Sequence, residues 1–246
     1  MPVAVPRIAR AVAPGFPHHI TQRGNRRQQT FFSDDDYQSY LDLIAEWSKA
    51  YAVDIWGYCL MPNHVHLILV PASQESLALA IGKAHLKYSR RVNFREAWRG
   101  HLWQGRFSSY VMDERYLLAC ARYIERNPVR ARLAVSPAEW RWSSARAHLD
   151  GISNGVVNVT PLLEIAGTRW NELLSEDVPA SEVAALRQHE RSGRPLGDQA
   201  FIDKVENQLG RCLRRNRPGP RPRASTSRDS GDTTLNSLSR SASPAE

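Results

Sequence analysis

The order of two hydrophobic periodicities along the first 150 residues constrains the fold more than any other feature of the sequence. Residues that alternate in polarity, as in β-strands, occur in FPHHITQR, VDIWGYCLM, HVHLILVP and RFSSYVM. Apolar residues at helical spacing fill the segments after the first and third of these strands. The order strand, helix, strand, strand, helix, strand, followed by a third helix, predicts an α+β fold. We expect a ferredoxin-like antiparallel sheet with helices on one face.

Charge divides the chain into three parts. The net charge is +7 over residues 1–150, −4 over residues 151–186 and +5 over residues 187–246. Two basic blocks indicate a polyanionic partner, most simply nucleic acid, although a basic protein without such a partner would look the same. We predict a first domain over residues 1–150 and a helical segment over 151–215. This segment is either an added DNA-binding module or packs against the first domain.

The C-terminal tail, the length of the apolar runs and the cysteine pattern narrow the class of protein further. The Pro-, Ser- and Arg-rich tail over residues 216–246 has almost no large apolar side chain, which predicts disorder. No apolar run approaches the ~18 residues of a membrane span. The three cysteines form no Cys-x-x-Cys, which excludes a disulfide scaffold and a zinc ribbon and fits a reducing cytosol. We therefore predict a cytoplasmic protein with no membrane partner.

The strand HVHLILVP carries the first candidate site. Val65, Leu67 and Leu69 share one face, which is wholly apolar and must be core. His64 and His66 share the other face, and two imidazoles at this spacing can chelate a metal ion. The alternative is a pair of hydrogen-bonded structural histidines. A third ligand is needed to decide in favour of a metal.

The helix that follows the fourth strand carries the second candidate site. Its core stripe is Leu117, Ala121 and Ile124, and a neighbouring stripe consists of Tyr116, Cys120, Tyr123 and Asn127. Tyr123 at the margin of a buried stripe can project its hydroxyl into a cleft. Asn127, one turn later, offers an amide oxygen to a hard metal ion. The alternatives are a core tyrosine and a helix-capping asparagine before Pro128.

Together these motifs resemble a known family. The chain resembles the REP-associated tyrosine transposases, a group within the His–hydrophobic–His (HUH) single-strand nucleases. The resemblance is carried by the segments TQRGNRRQQTFF, MPNHVHLILVP, HLWQGRF, YIERNPVRARL and WRWSSARAH. The resemblance covers about residues 16–148. It implies that residues 1–150 are an HUH transposase domain in which His64, His66 and Asn127 bind the metal and Tyr123 is the nucleophile.

The resemblance also implies an activity. Tyr123 would cut single-stranded hairpin repeat DNA and form a 5′-phosphotyrosine link that a 3′-hydroxyl can reverse, with no need for ATP. Two nitrogen ligands and one oxygen suit Mg²⁺ or Mn²⁺, and ligand type does not exclude Zn²⁺. The protein would be a monomer or homodimer, associated with the nucleoid.

Basic and polar side chains near the motifs are candidates for DNA contact, with interleaved aromatic residues that suit single strands. The candidates are Arg23, Arg26, Arg27, Lys83, Lys87, Arg90, Arg91, Gln104, Arg106, Arg130 and Arg132. A solvated basic helix face is the alternative for the second helix, and we expect Trp103 to be core.

Two other functions stay open at this stage. The same fold could act as a sequence-specific DNA-binding regulator that does not cleave. The histidine pair could also serve a metal-dependent phosphohydrolase that uses water.

Overall fold

The computed structural model describes residues 9–214, and an antiparallel sheet forms the centre of this part of the chain. The strands are β1 (His18–Arg23), β2 (Val53–Met61), β3 (His64–Pro71) and β4 (Ser108–Val111). Their order is β2-β3-β1-β4, so β1 and β3 are central. This order and direction confirm the α+β, ferredoxin-like prediction, and they place the HVH segment on a central strand.

The helices alternate with the strands and then continue beyond them. The first three are α1 (Asp34–Ala50), α2 (Ser76–Arg95) and α3 (Glu114–Glu125). The later ones are α4 (Asn127–Arg130), α5 (Ala145–Asp150), α6 (Thr160–Ala166), α7 (Trp170–Ser175), α8 (Ala180–Ser192) and α9 (Gln199–Leu209). Asp113 begins α3 as its N-cap, where its carboxylate accepts a hydrogen bond from the Tyr116 amide.

Both faces of the sheet are covered. The apolar face of β3, with Val65, Leu67 and Leu69, is buried against α1 and α2. The opposite face, which includes Ile68, packs against Leu117 and other residues of α3. The expectation of helices on one face was therefore correct for α1 and α2 but wrong for α3. Alternation on β3 puts the histidines on the face that α3 covers, so the pair and the tyrosine helix come together.

The helices after residue 150 pack against α3. Leu162 of α6, Trp170 and Leu174 of α7 and Leu186 of α8 are buried in one cluster with the core stripe of α3. The structure shows that this segment packs against the first domain, within one compact unit that extends to Arg214, and its possible DNA-binding role stays a prediction. The functional boundary at residue 150 stays a prediction. The predicted disordered tail, 216–246, lies outside the described residues.

Strand β4 lies at an edge of the sheet, and the C-terminal segment covers it. Leu196 forms a parallel bridge with Met112. The Leu196 amide donates to the Val111 carbonyl at 2.8 Å, and the Asp113 amide donates to the Leu196 carbonyl at 3.0 Å. The stretch between α8 and α9 thus satisfies polar backbone groups that an open edge would expose.

Within residues 9–214, no helix is both long enough and apolar enough to cross a membrane.

Candidate active site

A cleft of about 680 Å³ opens where the ends of β1 and β3 meet α3, α4 and α8. Its walls are formed by Arg23, Arg27, His64, His66, Tyr123, Asn127, Arg130, Ala131, Arg187, Glu190 and Arg191. The register of the central strands explains part of this set, because Arg23 lies opposite His64 and Thr21 lies opposite His66. The structure therefore brings the four residues of the predicted catalytic and metal sites to one cleft.

The two histidines of β3 stand side by side on the face of the sheet that α3 covers. Their ring centroids lie 5.0 Å apart with the ring planes at 80°. His64 is half-buried and His66 is buried. Strand alternation fixes both side chains on this face, so they converge without any loop to position them.

Hydrogen bonds orient each imidazole. His64 Nδ1 donates to the Asn63 side-chain oxygen at 2.6 Å, because that oxygen can only accept. His66 Nδ1 lies 3.0 Å from His19 Nε2. The Nδ1 atoms are thus engaged away from the cleft, and the Nε2 atoms are the ones available to it. Such partners behind a ligating histidine are typical of metal sites.

Burial keeps both imidazoles neutral. Burial, with smaller contributions from the Arg23 and Arg130 charges, lowers the pKa of His64 to about 4. Burial also lowers the pKa of His66 well below the usual value, and the neighbouring His64 and His19 add to the effect. A neutral imidazole keeps the lone pair that a metal ion requires.

Tyr123 lies beside the histidine pair on α3. Its ring is perpendicular to the His66 ring, with the centroids 6.0 Å apart. The Arg130 guanidinium lies 4.1 Å from the centroid of the Tyr123 ring, and it donates to the Tyr123 carbonyl at 2.9 Å. Only 6% of the Tyr123 residue surface is exposed. The phenol is therefore held at the cleft wall by its helix and by Arg130.

Asn127 begins α4, directly after the tyrosine helix. Its Nδ2 lies 3.5 Å from His64 Nε2, and its Oδ1 accepts from Arg130 at 3.0 Å. A metal ion would require the amide oxygen, rather than the amide nitrogen, to face His64. Rotation about the last side-chain bond exchanges these two atoms. The position of Asn127 therefore fits a ligand, with its amide turned over.

The donor chemistry fits a divalent cation. Across residues 9–214 no group of three His, Cys, Asp or Glu side chains is arranged to hold a metal ion. A metal in the cleft would therefore rely on two imidazoles and the Asn127 amide, a mixed N/O set suited to Mg²⁺ or Mn²⁺ with waters completing the shell.

The cleft is also strongly basic. Arg23, Arg27 and Arg130 are sequence candidates that line it, and α8 adds Arg187 and Arg191. Within the described range, Arg23, Arg27, Arg187 and Arg191 take part in no ion pair. The acid of the cleft, Glu190, accepts a hydrogen bond from the Thr21 hydroxyl at 3.0 Å. Unpaired arginines converging on one cleft favour an anionic ligand.

The remaining sequence candidates lie away from this cleft. Lys83, Lys87 and Arg91 are exposed on α2, which packs on the other face of the sheet. Arg90 and Arg106 line a second cleft of about 610 Å³ between α2 and the loop before β4. Arg26, Gln104 and Arg132 are exposed. DNA contact by these residues stays a prediction. Trp103 is buried, as expected.

Sequence reasoning missed two groups of residues in or near the cleft. His19 and Thr21 share the histidine face of the sheet, because they pair with Ile68 and His66. Alternation in FPHHITQR carried this signal. Arg187 and Arg191 lie on α8, of which only Leu186 is buried. Their position over the cleft depends on contacts distant in sequence, and no local pattern could have located them.

Known proteins resemble this chain in sequence pattern and in fold. Residues 15–127 match the family model described as Transposase IS200 like. The fold is similar to that of a REP-associated tyrosine transposase bound to a REP hairpin, with a TM-score of 0.52 and 18% identity over 63% of this chain and 93% of that one. A protein of Deinococcus radiodurans R1 designated a transposase gives a TM-score of 0.34 and 15% identity over 54% and 92% of the two chains. No curated protein matches the sequence.

Proposed function

Because residues 15–127 match the family model described as Transposase IS200 like, we propose that this protein is a REP-associated tyrosine transposase that cuts and rejoins single-stranded hairpin DNA. The observation that carries the proposal is the shared cleft of Tyr123, His64, His66 and Asn127. A nucleophile, a candidate metal site and unpaired arginines are the three parts that phosphodiester transfer requires.

Tyr123 is the proposed nucleophile. Attack of its phenolic oxygen on the scissile phosphorus forms a tyrosine–phosphate bond and breaks the bond to the 3′-oxygen, which takes up a proton. The products are a 5′-phosphotyrosine and a free 3′-hydroxyl, and attack by a 3′-hydroxyl reverses the step without ATP. A free phenol, with a pKa of ~10, is a weak nucleophile at neutral pH and needs help at the phosphate.

The other cleft residues would supply that help. A divalent cation held by His64, His66 and Asn127 would supply Lewis-acid polarisation of the scissile phosphate. Arg23, Arg27, Arg187 and Arg191 would bind the flanking phosphates as charged donors. Arg130, which donates to the Tyr123 carbonyl, would hold the end of the tyrosine helix, and its bond to Asn127 Oδ1 would be given up when that oxygen turns toward a metal ion.

The proposal extends to partners and location. We infer a cytoplasmic, nucleoid-associated protein, either a monomer or a homodimer, with hairpin repeat DNA as substrate. The hairpin substrate is supported by the similar fold of a REP-associated tyrosine transposase bound to a REP hairpin.

One experiment distinguishes this activity from its competitors. Labelled hairpin oligonucleotide is incubated with the protein and Mn²⁺ and run on a denaturing gel. A covalent protein–DNA band is expected, and it should disappear with chelator or with Tyr123→Phe. Tyr116→Phe is the matched control, because Tyr116 lies on the same helix but not in the cleft.

The other outcomes each contradict the proposal. Free cleaved products without a covalent band would indicate a phosphohydrolase that uses water. Binding of the hairpin without any product would indicate a regulator. A covalent band that persists in Tyr123→Phe would assign the nucleophile to another residue.

A further inference from the structure

A hydrogen-bonded chain runs from the cleft into the protein behind His66. His66 Nδ1 lies 3.0 Å from His19 Nε2, and His19 Nδ1 lies 3.0 Å from the Tyr110 hydroxyl. His66 is 3% exposed, and His19 and Tyr110 are each 1% exposed. Buried polar groups with no access to water must find partners in the protein. These three side chains therefore satisfy one another.

The chain is built on rigid elements. His66, His19 and Tyr110 lie on the adjacent strands β3, β1 and β4, and His19 is directly opposite Tyr110 in the register. The two imidazoles are stacked, with centroids 5.2 Å apart and planes within 10°. The Tyr110 ring is perpendicular to His19 at 87°. Side chains held on strands keep a ligand better oriented than side chains on loops.

The direction of the hydrogen bonds decides whether His66 can bind a metal. If His66 Nδ1–H donates to His19, and His19 Nδ1–H donates to Tyr110, the Nε2 of His66 keeps its lone pair. In the reverse direction the proton of His66 lies on Nε2, and that atom cannot be a ligand. The first direction leaves the Tyr110 hydroxyl to donate in turn, and the Cys120 thiol, buried in the same cluster as Tyr110, offers it a weak sulfur acceptor.

We propose that His19 and Tyr110 are positioning residues that hold His66 as the Nδ1–H tautomer, with the Nε2 lone pair facing the cleft. This inference rests on the proposed metal site. Asn63 holds His64 as the Nδ1–H tautomer through a single hydrogen bond. The two proposed metal ligands are therefore positioned by different sets of partners.

The test replaces the acceptor behind His66 and measures binding of Mn²⁺ alone, from the free-ion signal in electron paramagnetic resonance. His19→Leu removes the acceptor and should weaken Mn²⁺ affinity ~10- to 100-fold, the usual effect of losing an outer partner of a metal ligand. His19→Gln restores an oxygen acceptor and should recover most of the affinity. Tyr110→Phe should weaken Mn²⁺ binding several-fold, and this variant tests the same proposal if His19→Leu does not fold.

The chain contains a matched control. His85 is also a buried histidine, and its Nε2 lies 2.9 Å from the Tyr40 hydroxyl. This pair belongs to the α1–α2 side of the sheet and contacts no proposed ligand. His85→Leu should therefore lower stability to thermal unfolding without changing Mn²⁺ affinity. Equal losses of affinity in His19→Leu and His85→Leu would overturn the proposal, because destabilisation alone would then explain both.

A second measurement separates this inference from the proposed function. Long-range ¹H–¹⁵N spectra of the metal-free protein report which ring nitrogen of His66 carries the proton. A proton on Nδ1 that moves or exchanges in His19→Leu supports the proposal, and a proton on Nε2 in the wild type overturns it. If the wild type binds no Mn²⁺ but His66 has the Nδ1–H tautomer, then the metal site is wrong and the positioning chain stands.

Discussion

Buried histidines in this molecule have different partners, and the partner decides the role. His64 and His66 face a cleft with Nε2 available. His85 is enclosed between Tyr40, which holds its Nε2, and the Trp103 ring, which stacks on it at 4.8 Å. His148 donates to Glu125 in the interior. Burial alone therefore does not identify a candidate metal ligand, and the distinguishing feature of His64 and His66 is an imidazole nitrogen that faces a cleft.

At the residue scale we predict an acid-dependent loss of stability through His85. Burial lowers the pKa of His85 to about 3, against ~6.5 in an unfolded chain. At pH values between these two pKa values, the His85 ring binds a proton in the unfolded state but not in the folded state. The free energy of unfolding contributed by His85 is thus complete above pH ~6.5 and falls with pH by about 1.4 kcal/mol per unit.

The measurement is urea unfolding of the wild type and His85→Gln at several pH values. Gln keeps an acceptor for the Tyr40 hydroxyl but does not titrate. Between pH ~6.5 and pH ~5 the wild type should lose about 2 kcal/mol more than the variant. Parallel pH curves for the two proteins would contradict the assignment.

Among the elements, α3 is the one whose placement decides the site. Its C-terminal turn is anchored by Glu125, which is fully buried and accepts from the Ser144 hydroxyl and from His148 Nδ1, both at 2.6 Å. Arg122 and Arg126 tie the same turn to Glu182 and Asp177 in the C-terminal segment. Glu125 is two residues from both Tyr123 and Asn127, so its anchor fixes these two side chains of the cleft together.

Loss of this anchor should be costly. Removing one partner of a buried pair typically destabilises by 3–5 kcal/mol, so Glu125→Leu should lower the free energy of unfolding by about that amount. Adding His148→Leu should recover part of the loss, because no unpaired polar ring then remains. The exposed pair Arg146–Asp150 on α5 is the control, and Asp150→Ala should change stability by less than ~1 kcal/mol. A harmless Glu125→Leu would refute the anchoring role.

At the scale of the whole molecule, the second basic block, residues 187–246, contributes two arginines to the cleft. Arg187 and Arg191 belong to that block, and α8 delivers them to the cleft of the first. These two arginines of the second block therefore lie on the same surface as arginines of the first block, although an acidic stretch separates the two blocks in sequence.

We predict that Arg187→Ala with Arg191→Ala weakens hairpin binding and makes it less sensitive to salt. Each phosphate contact on a single strand contributes ~0.7 to the slope of log affinity against log salt, so the slope should shrink by about 1.4. Arg146→Ala with Arg169→Ala removes the same charge from exposed positions outside the cleft. An equal reduction of the slope in this control pair would show that net charge, rather than the cleft, controls binding.

What the sequence could predict follows from the range of the interactions. The strands, α1 to α3, the apolar face of β3 and the core stripe of α3 have local periodicity and were found. The side of the sheet that α3 covers, the place of α8 and the partners of His66 depend on distant contacts. Thr21 and Glu190, for example, meet although 169 positions separate them. Local patterns carry no signal for such pairs.

The cover over β4 has a consequence for how the protein is made. During synthesis the sheet is available once β4 has emerged, but its edge stays open until Leu196 follows. A chain that terminates early therefore presents an unpaired edge, the usual template for aggregation, and lacks the arginines of α8. We therefore expect prematurely terminated chains to aggregate rather than to persist as folded fragments.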